Sequence, residues 1–171
     1  MPNTKNTIVI KEAGSNIREE YIANAAITPG MLVEIMSTGK VCAHASKKAL
    51  AERMFAVEDS LQGKGIDDVY AATDQVPCAI LRAGDWVNAF IRDGENLSIG
   101  DKVCSNGDGT LIKWEIGSGN SSDWNEDNPE VLTSFAAAPV GVMMEAINLS
   151  GSSGTESSTL VGDRRALVRV M

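Results

Sequence analysis

The glycines dictate most of what this chain can become. They break it into short apolar runs, and two of the runs echo each other. Gly30 and Gly39 are matched seventy residues later by Gly100 and Gly109. At the same offset Ile27 meets Leu97, Thr28 meets Ser98, Val33 meets Val103 and Val41 meets Leu111. Each copy reads apolar residue, hydroxyl, any residue, glycine, strand, glycine turn, strand. Glycine supplies the positive φ or the close approach that a tight hairpin entry needs. A shared offset at six positions favours a duplicated hairpin over the chance likeness of ordinary turns.

The runs on either side of these turns read as strands. Pro29-Gly30 precedes residues 31–36, Ser37-Thr38-Gly39 turns the chain, and residues 40–44 return. Further strands are expected at 75–82, 86–92, 111–116, 139–147 and 165–170, separated by Gly84-Asp85, Asp93-Gly94 and two Ser/Gly/Asn-rich loops at 117–128 and 148–162. Residues 46–53 carry a helix signature behind Ser46, while 53–58 reads as a strand with Phe55 and Val57 on one face; the residues leave that boundary open. The expected fold is mostly β, a compact sandwich or barrel-like domain built from short hairpins, with room for one short helix. Its limits are a single domain over 27–171 and an extended N-terminal arm over 1–26, where 7–10 could form a short strand. The arm would be either laid on a partner or frayed.

Composition narrows the function. Of 171 residues 23 are acidic and 15 basic, a formal charge of −8, which disfavours nucleic acid as a partner because phosphate contacts need clustered Lys and Arg. A chain this long buries roughly 70% of its unfolded surface and needs no metal or disulfide to fold. The opening residues contain no signal-peptide core, and the longest apolar run, 135–144, is short and broken by Pro139 and Gly141, so no membrane partner is expected. Three cysteines without a secretory signal suggest reduced thiols in a soluble intracellular product, or in something assembled inside a cell.

No chemistry emerges from the motifs, and no catalytic residue, metal site or cofactor is expected. Cys42 and His44 share a strand face, so a dyad is geometrically open, but an ordinary strand histidine beside a buried thiol fits better. The set Cys42, His44, Cys78 and Cys104 lacks the close ligand pairs of structural zinc. Asp123, Asn125 and Asp127 imitate a calcium loop that Asn128, Pro129 and Ser134 fail to complete. Neither Gly63-Lys64-Gly65 nor Gly117-Ser118-Gly119 completes a nucleotide loop, and no serine sits in G-x-S-x-G. Trp86 and Trp114 read as core. Trp124, in a polar loop, is either an exposed contact residue or folded back on its own domain.

The middle of the chain resembles a known family. Arg53-Met54-Phe55-Ala56-Val57-Glu58-Asp59, Gln62-Gly63-Lys64-Gly65-Ile66-Asp67-Asp68-Val69-Tyr70 and Val76-Pro77-Cys78-Ala79-Ile80 are similar to segments of the head decoration, or cement, proteins of tailed bacteriophages. The likeness continues through Gly84-Asp85-Trp86-Val87-Asn88-Ala89, Gly100-Asp101-Lys102-Val103, Gly107-Asp108-Gly109-Thr110-Leu111, Val140-Gly141-Val142-Met143-Met144-Glu145-Ala146 and Ala166-Leu167-Val168-Arg169-Val170, covering 27–116 and 139–171. It implies a β-rich protein on the outer capsid surface of the virion, associated as a homotrimer, with the major capsid protein as partner and the bracing of capsomers as its task. Within the arm, Ile8, Ile10, Ile17, Arg18 and Tyr21 are the expected capsid contacts. Other classes weighed are a carrier module using Lys40 or Lys102 at a hairpin tip, a trimeric enzyme acting on nucleotides, and another head component such as a fibre base.

Overall fold

Alternation decides which runs become strands, and pairing decides where they sit. The computed structural model describes residues 6–12, 14, 17–115, 138–151 and 164–171. Along these run β1 (Val9–Lys11), β2 (Ile17–Ile22), β3 (Val33–Ile35), β4 (Val41–Ala43), β5 (Met54–Ala56), a 3-10 turn (Ser60–Gln62), β6 (Gln75–Ile80), β7 (Trp86–Phe90), β8 (Asn96–Leu97), β9 (Lys102–Ser105), β10 (Leu111–Lys113), β11 (Gly141–Met143), β12 (Ile147–Asn148) and β13 (Arg165–Val170). The strands form several antiparallel sheets in a sandwich-like body, with no closed barrel among the described residues, and this is the mostly β fold that the residues predict. The helix left open at 46–53 does not form. There Lys48 N–H donates to the Ser105 carbonyl at 2.9 Å, and this tertiary bond overrides local propensity.

The arm expected over 1–26 is, in its described residues, part of the sheets. β1 pairs antiparallel with β7, and β2 pairs along its whole length with β6, from Ile17 opposite Ile80 to Ile22 opposite Gln75. Ile8 is fully buried in the main core with Leu32, Val87 and Val168.

The duplicated hairpin is the visible part of a larger duplication. The order β2-β6-β5, continued by a bridge from Phe55 to Leu32 into β3 and then β4, is repeated as β7-β13-β11-β9-β10. The hydrogen bonds repeat with it. Gly30 N–H donates to the Ala56 carbonyl and Ala56 N–H to Met31; likewise Gly100 N–H donates to Met143 and Met143 N–H to Asp101. Asn24 N–H to Val41 is repeated by Arg92 N–H to Leu111, His44 to Leu32 by Trp114 to Lys102, Val57 to Pro77 by Met144 to Leu167, and Leu81 to Arg53 by Met171 to Val140. All four echoing glycines take positive φ, +97° and +92° at Gly30 and Gly100, +76° and +83° at Gly39 and Gly109. Ala23, Ile27, Val33 and Val41 are buried in the first unit as Ile91, Leu97, Val103 and Leu111 are in the second.

The two units dock head to tail. One face of the first unit, Leu32, Phe55, Ala79 and Leu81, packs into the apolar cluster that holds the second unit's Val87, Ile91 and Val168. At the crossing Phe90 N–H donates to the Gly30 carbonyl at 3.1 Å, and Leu32 N–H donates to the Gly109 carbonyl at 2.9 Å. A Cβ on Gly30 would lie 2.9 Å from the Asn88 carbonyl oxygen. Arg165 closes the joint. Its buried guanidinium stacks 4.2 Å over the Phe90 ring, donates to the Pro29 carbonyl (3.2 Å) and to the Ile66 carbonyl, and meets Asp67 at 2.6 Å.

Two measurements check this joint. Gly30→Ala combines positive-φ strain with a backbone clash and should cost about 3 kcal/mol, against about 1 for Gly39→Ala, whose site is open, in urea unfolding. Arg165→Ala strands the buried Pro29 carbonyl and the half-buried Ile66 carbonyl and should cost about 3 kcal/mol, whereas removing its solvent-exposed partner in Asp67→Ala should cost less than about 1. Equal losses in the second pair would mean that the ion pair, and not the buried hydrogen bonds, holds the units together.

Candidate interaction surface

β2 forms an outer edge among the described strands. Its sequence, Ile-Arg-Glu-Glu-Tyr-Ile, has little apolar alternation, and all of it except the half-buried Tyr21 is exposed. Edge strands of this kind carry charges that discourage indiscriminate pairing. The equivalent strand, β7, has its own outer edge covered by β1, through bonds such as Asn88 N–H to the Ile8 carbonyl at 2.8 Å.

A groove runs beside β2, lined by Arg18 and Glu20, by Pro77 of β6, and by Glu58, Asp59 and Leu61 in and before the 3-10 turn that follows β5. Its shape follows from one substitution between the units. In the second unit Leu167 N–H donates to the Glu145 carboxylate at 3.2 Å. Proline at the matching position, 77, has no N–H to donate. Glu58 instead accepts from Ile8 N–H at 3.0 Å and from the Thr7 hydroxyl, which ties the start of β1 to the groove wall. Above the groove, Asp59 caps the 3-10 turn by accepting from Leu61 N–H (2.9 Å) and Gln62 N–H (3.3 Å), and Gly63 ends it in the left-handed region. The turn holds Leu61 98% exposed. A leucine fixed in water by a capped turn, beside Glu20, Glu58 and Asp59, is a ready contact point for an apolar and basic partner.

The expected contact residues thus divide. Ile17, Arg18 and the exposed face of Ile10 lie on the surface, Tyr21 is half buried, and Ile8 belongs to the core, so its assignment as a contact is corrected. Ile8 is apolar because β1 is an integral strand whose inward residue must pack. Trp124 lies outside the described residues. Leu61 and the acidic wall were not anticipated, although Asp59 and Gly63 bracketing Ser-Leu-Gln signal a capped turn. Trp86 and Trp114, expected in the core, are half buried, with Lys11 5.6 Å and Lys102 5.1 Å from their ring centres.

The polar cluster around His44 has a different use. Nδ1 lies 2.8 Å from the Ser105 hydroxyl, and Nε2 lies 3.5 Å from the Glu34 carboxylate, supplied across the β3–β4 hairpin. The arrangement imitates a serine–histidine–acid relay. Ser105 is completely buried and its hydroxyl also accepts from Gly107 N–H at 3.1 Å, so it is closed to substrate and serves to fasten the two hairpins together. Cys42 faces Glu34 (3.9 Å) and not His44. Burial, then Glu34, raises its thiol pKa; burial pushes Cys78 up to about 12, and it raises Cys104 as well. All three are protonated and poorly nucleophilic at neutral pH. Among the described residues no group of three His, Cys, Asp or Glu side chains is placed to hold a metal, and no helix is long and apolar enough to cross a membrane. The Asp123–Asp127 sequence lies outside those residues.

Fold and surface together define a class: a duplicated all-β module whose distinguishing surface is an edge strand with an acidic, leucine-tipped groove. No protein-family model matches the chain, and no curated protein matches it. Among solved structures the fold is similar to that of the N base of the head fiber protein gp8.5 of bacteriophage phi29, with a TM-score of 0.50. The likeness covers 92% of this chain and 95% of that one at 9% sequence identity, so it is a likeness of fold.

Tyr21 reports on the surface directly. Its hydroxyl bonds the Glu19 carboxylate, and that bond, with desolvation second, pushes the phenol up to about 12. The folded phenol keeps its proton to higher pH than the unfolded one. Its contribution to stability is therefore complete below about pH 10 and is lost as pH rises toward about 12. In Glu19→Gln the Tyr21 transition at 295 nm should fall back toward 10; an unchanged titration would show that Glu19 does not set it.

Proposed function

We propose that this chain is an exterior component of a bacteriophage head, seated on the capsid as the base of a head appendage. The observation that carries this reading is the fold likeness to a head-fiber N base along nearly the whole length of both chains. The surface is compatible with it. An acidic module gains nothing from packaged DNA, and a strand edge with an exposed Leu61 suits docking on a protein lattice. The resemblance of residues 27–116 and 139–171 to decoration proteins supports a neighbouring reading, in which a homotrimer grips the major capsid protein and braces capsomers. That reading differs from a fibre base in one respect. A cement stabilises the shell by adding interface across capsomer boundaries, whereas a base needs only to hold on.

Co-sedimentation with expanded heads that lack their exterior proteins tests both. Saturable binding, weakened at least about tenfold by Leu61→Asp or by Arg18→Glu with Ile17→Asp, is the expected result. A rise in the melting temperature of the loaded heads would favour the cement role; binding without that rise would favour the base. Absence of binding to heads would overturn the proposal.

A further inference from the structure

The joint between the two units is heterologous: each unit contributes a different face, so within one chain it can be made only once. The first unit uses the face around Pro29, Gly30 and Leu32, and the second uses the face around Phe90, Gly109 and Arg165. Duplication supplies the complementary pair of faces again, and both remain uncovered among the described residues. The matches of Phe90, Ser105, Gly109 and Arg165 on the first unit are Ile22, Ile35, Gly39 and Gln75, all exposed, with Ile22 and Ile35 at 42% and 44%. The matches of Pro29, Gly30 and Leu32 on the second unit are Ile99, Gly100 and Lys102; Ile99 is 66% exposed. Gly39 and Gly100 face open space, whereas Gly30 and Gly109 are pressed against the opposite unit.

We infer that copies of this chain associate head to tail, the β2 side of one first unit docking on the Ile99–Lys102 turn of the next chain's second unit, in a repeat of the joint already made inside each chain. Exposed Ile22 takes the place of Phe90 and passes beside Gly100, as Phe90 passes Gly30. The occupant is a second copy because both surfaces belong to this chain and continue an interface that the chain already forms. Their charges agree as well. Glu19 and Glu20 stand on the β2 side, while Lys102 and Arg169 occupy the positions of Leu32 and Ala79 on the opposing face. The internal joint buries apolar side chains permanently; the joint between chains is charged at its rim, as a separable interface is. The inference rests on the duplication and not on the head-surface proposal, so it is tested without heads.

Analytical ultracentrifugation of the full chain should show concentration-dependent self-association. Ile22→Asp removes one face and Ile99→Asp the other, and each variant alone should associate at least about tenfold more weakly than the parent. An equimolar mixture should form a one-to-one dimer and nothing larger, since one good face remains on each copy and the two are complementary. Lys102→Glu and Glu20→Lys, both at exposed positions and checked for folding by circular dichroism, should each weaken association and restore it when combined in one chain. A parent that stays monomeric up to about 1 mM, or variants that associate undiminished, or a mixture that forms no dimer, would overturn the inference.

Discussion

Everything in this fold passes through the crossing at Gly30. Strand β7 of the second unit runs so close beneath it that a Cβ has no room, and Phe90 N–H reaches the Gly30 carbonyl because of that closeness. The approach leaves the Pro29 and Ile66 carbonyls facing inward, where an unpaired acceptor is costly. Arg165 resolves both at once, with its guanidinium flat over the Phe90 ring and its N–H groups on the two carbonyls. A lysine has one charged nitrogen and no planar fork, so it cannot serve two divergent carbonyls and lie flat on a ring. Asp67, mostly in water, neutralises the fork's open end and contributes little beyond that.

The hairpins were legible in the sequence because their turns demand glycine, and glycine at positive φ leaves a mark that survives divergence. The rest of the duplication left no such mark. Met54 is matched by Gly141, Pro77 by Leu167, His44 by Trp114 and Ile35 by Ser105, pairs too unlike in size or polarity to show as a repeat. What the pairs share is a backbone hydrogen bond or a register position, and the backbone of every residue carries the same donor and acceptor. Connections of different length then shift the offset from strand to strand. β2 was unreadable for a related reason. Ile-Arg-Glu-Glu-Tyr-Ile is a strand because β6 offers it a full ladder of partners, and at an edge its polarity is an advantage. Ile8 belongs to the core because β1 joins β7, and spaced apolar residues in a polar segment read the same whether they face a partner or the core. Leu61 shows the converse: an apolar residue held out by a turn whose caps were visible while their consequence was not.

The divergence between the units also separates their tasks. Leu32, Phe55, Ala79 and Leu81 make the first unit's docking face apolar; Lys102, Val142, Arg169 and Met171 make the equivalent face of the second unit basic and partly exposed. One face closes a joint inside the chain, and the other, in the single chain, is left exposed with its charges. In the same way Pro77 frees Glu58 from the backbone bond that Glu145 keeps, and the freed carboxylate both secures β1 and lines the acidic groove.

That asymmetry bears on how the module can sit on a larger assembly. If the β2 side is taken by a neighbouring copy, the surface left for a head is the rim of the groove, where the capped turn holds Leu61 almost wholly exposed. Burying one such leucine is worth about 2 kcal/mol, too little to hold a monomer on a shell after the loss of rotational and translational freedom. Several copies joined head to tail present several leucines at fixed spacing, and each contact after the first is made at high effective concentration. An acidic module of this size would thus gain its grip by association, and the joint that orders the two units inside one chain would serve to order the chains.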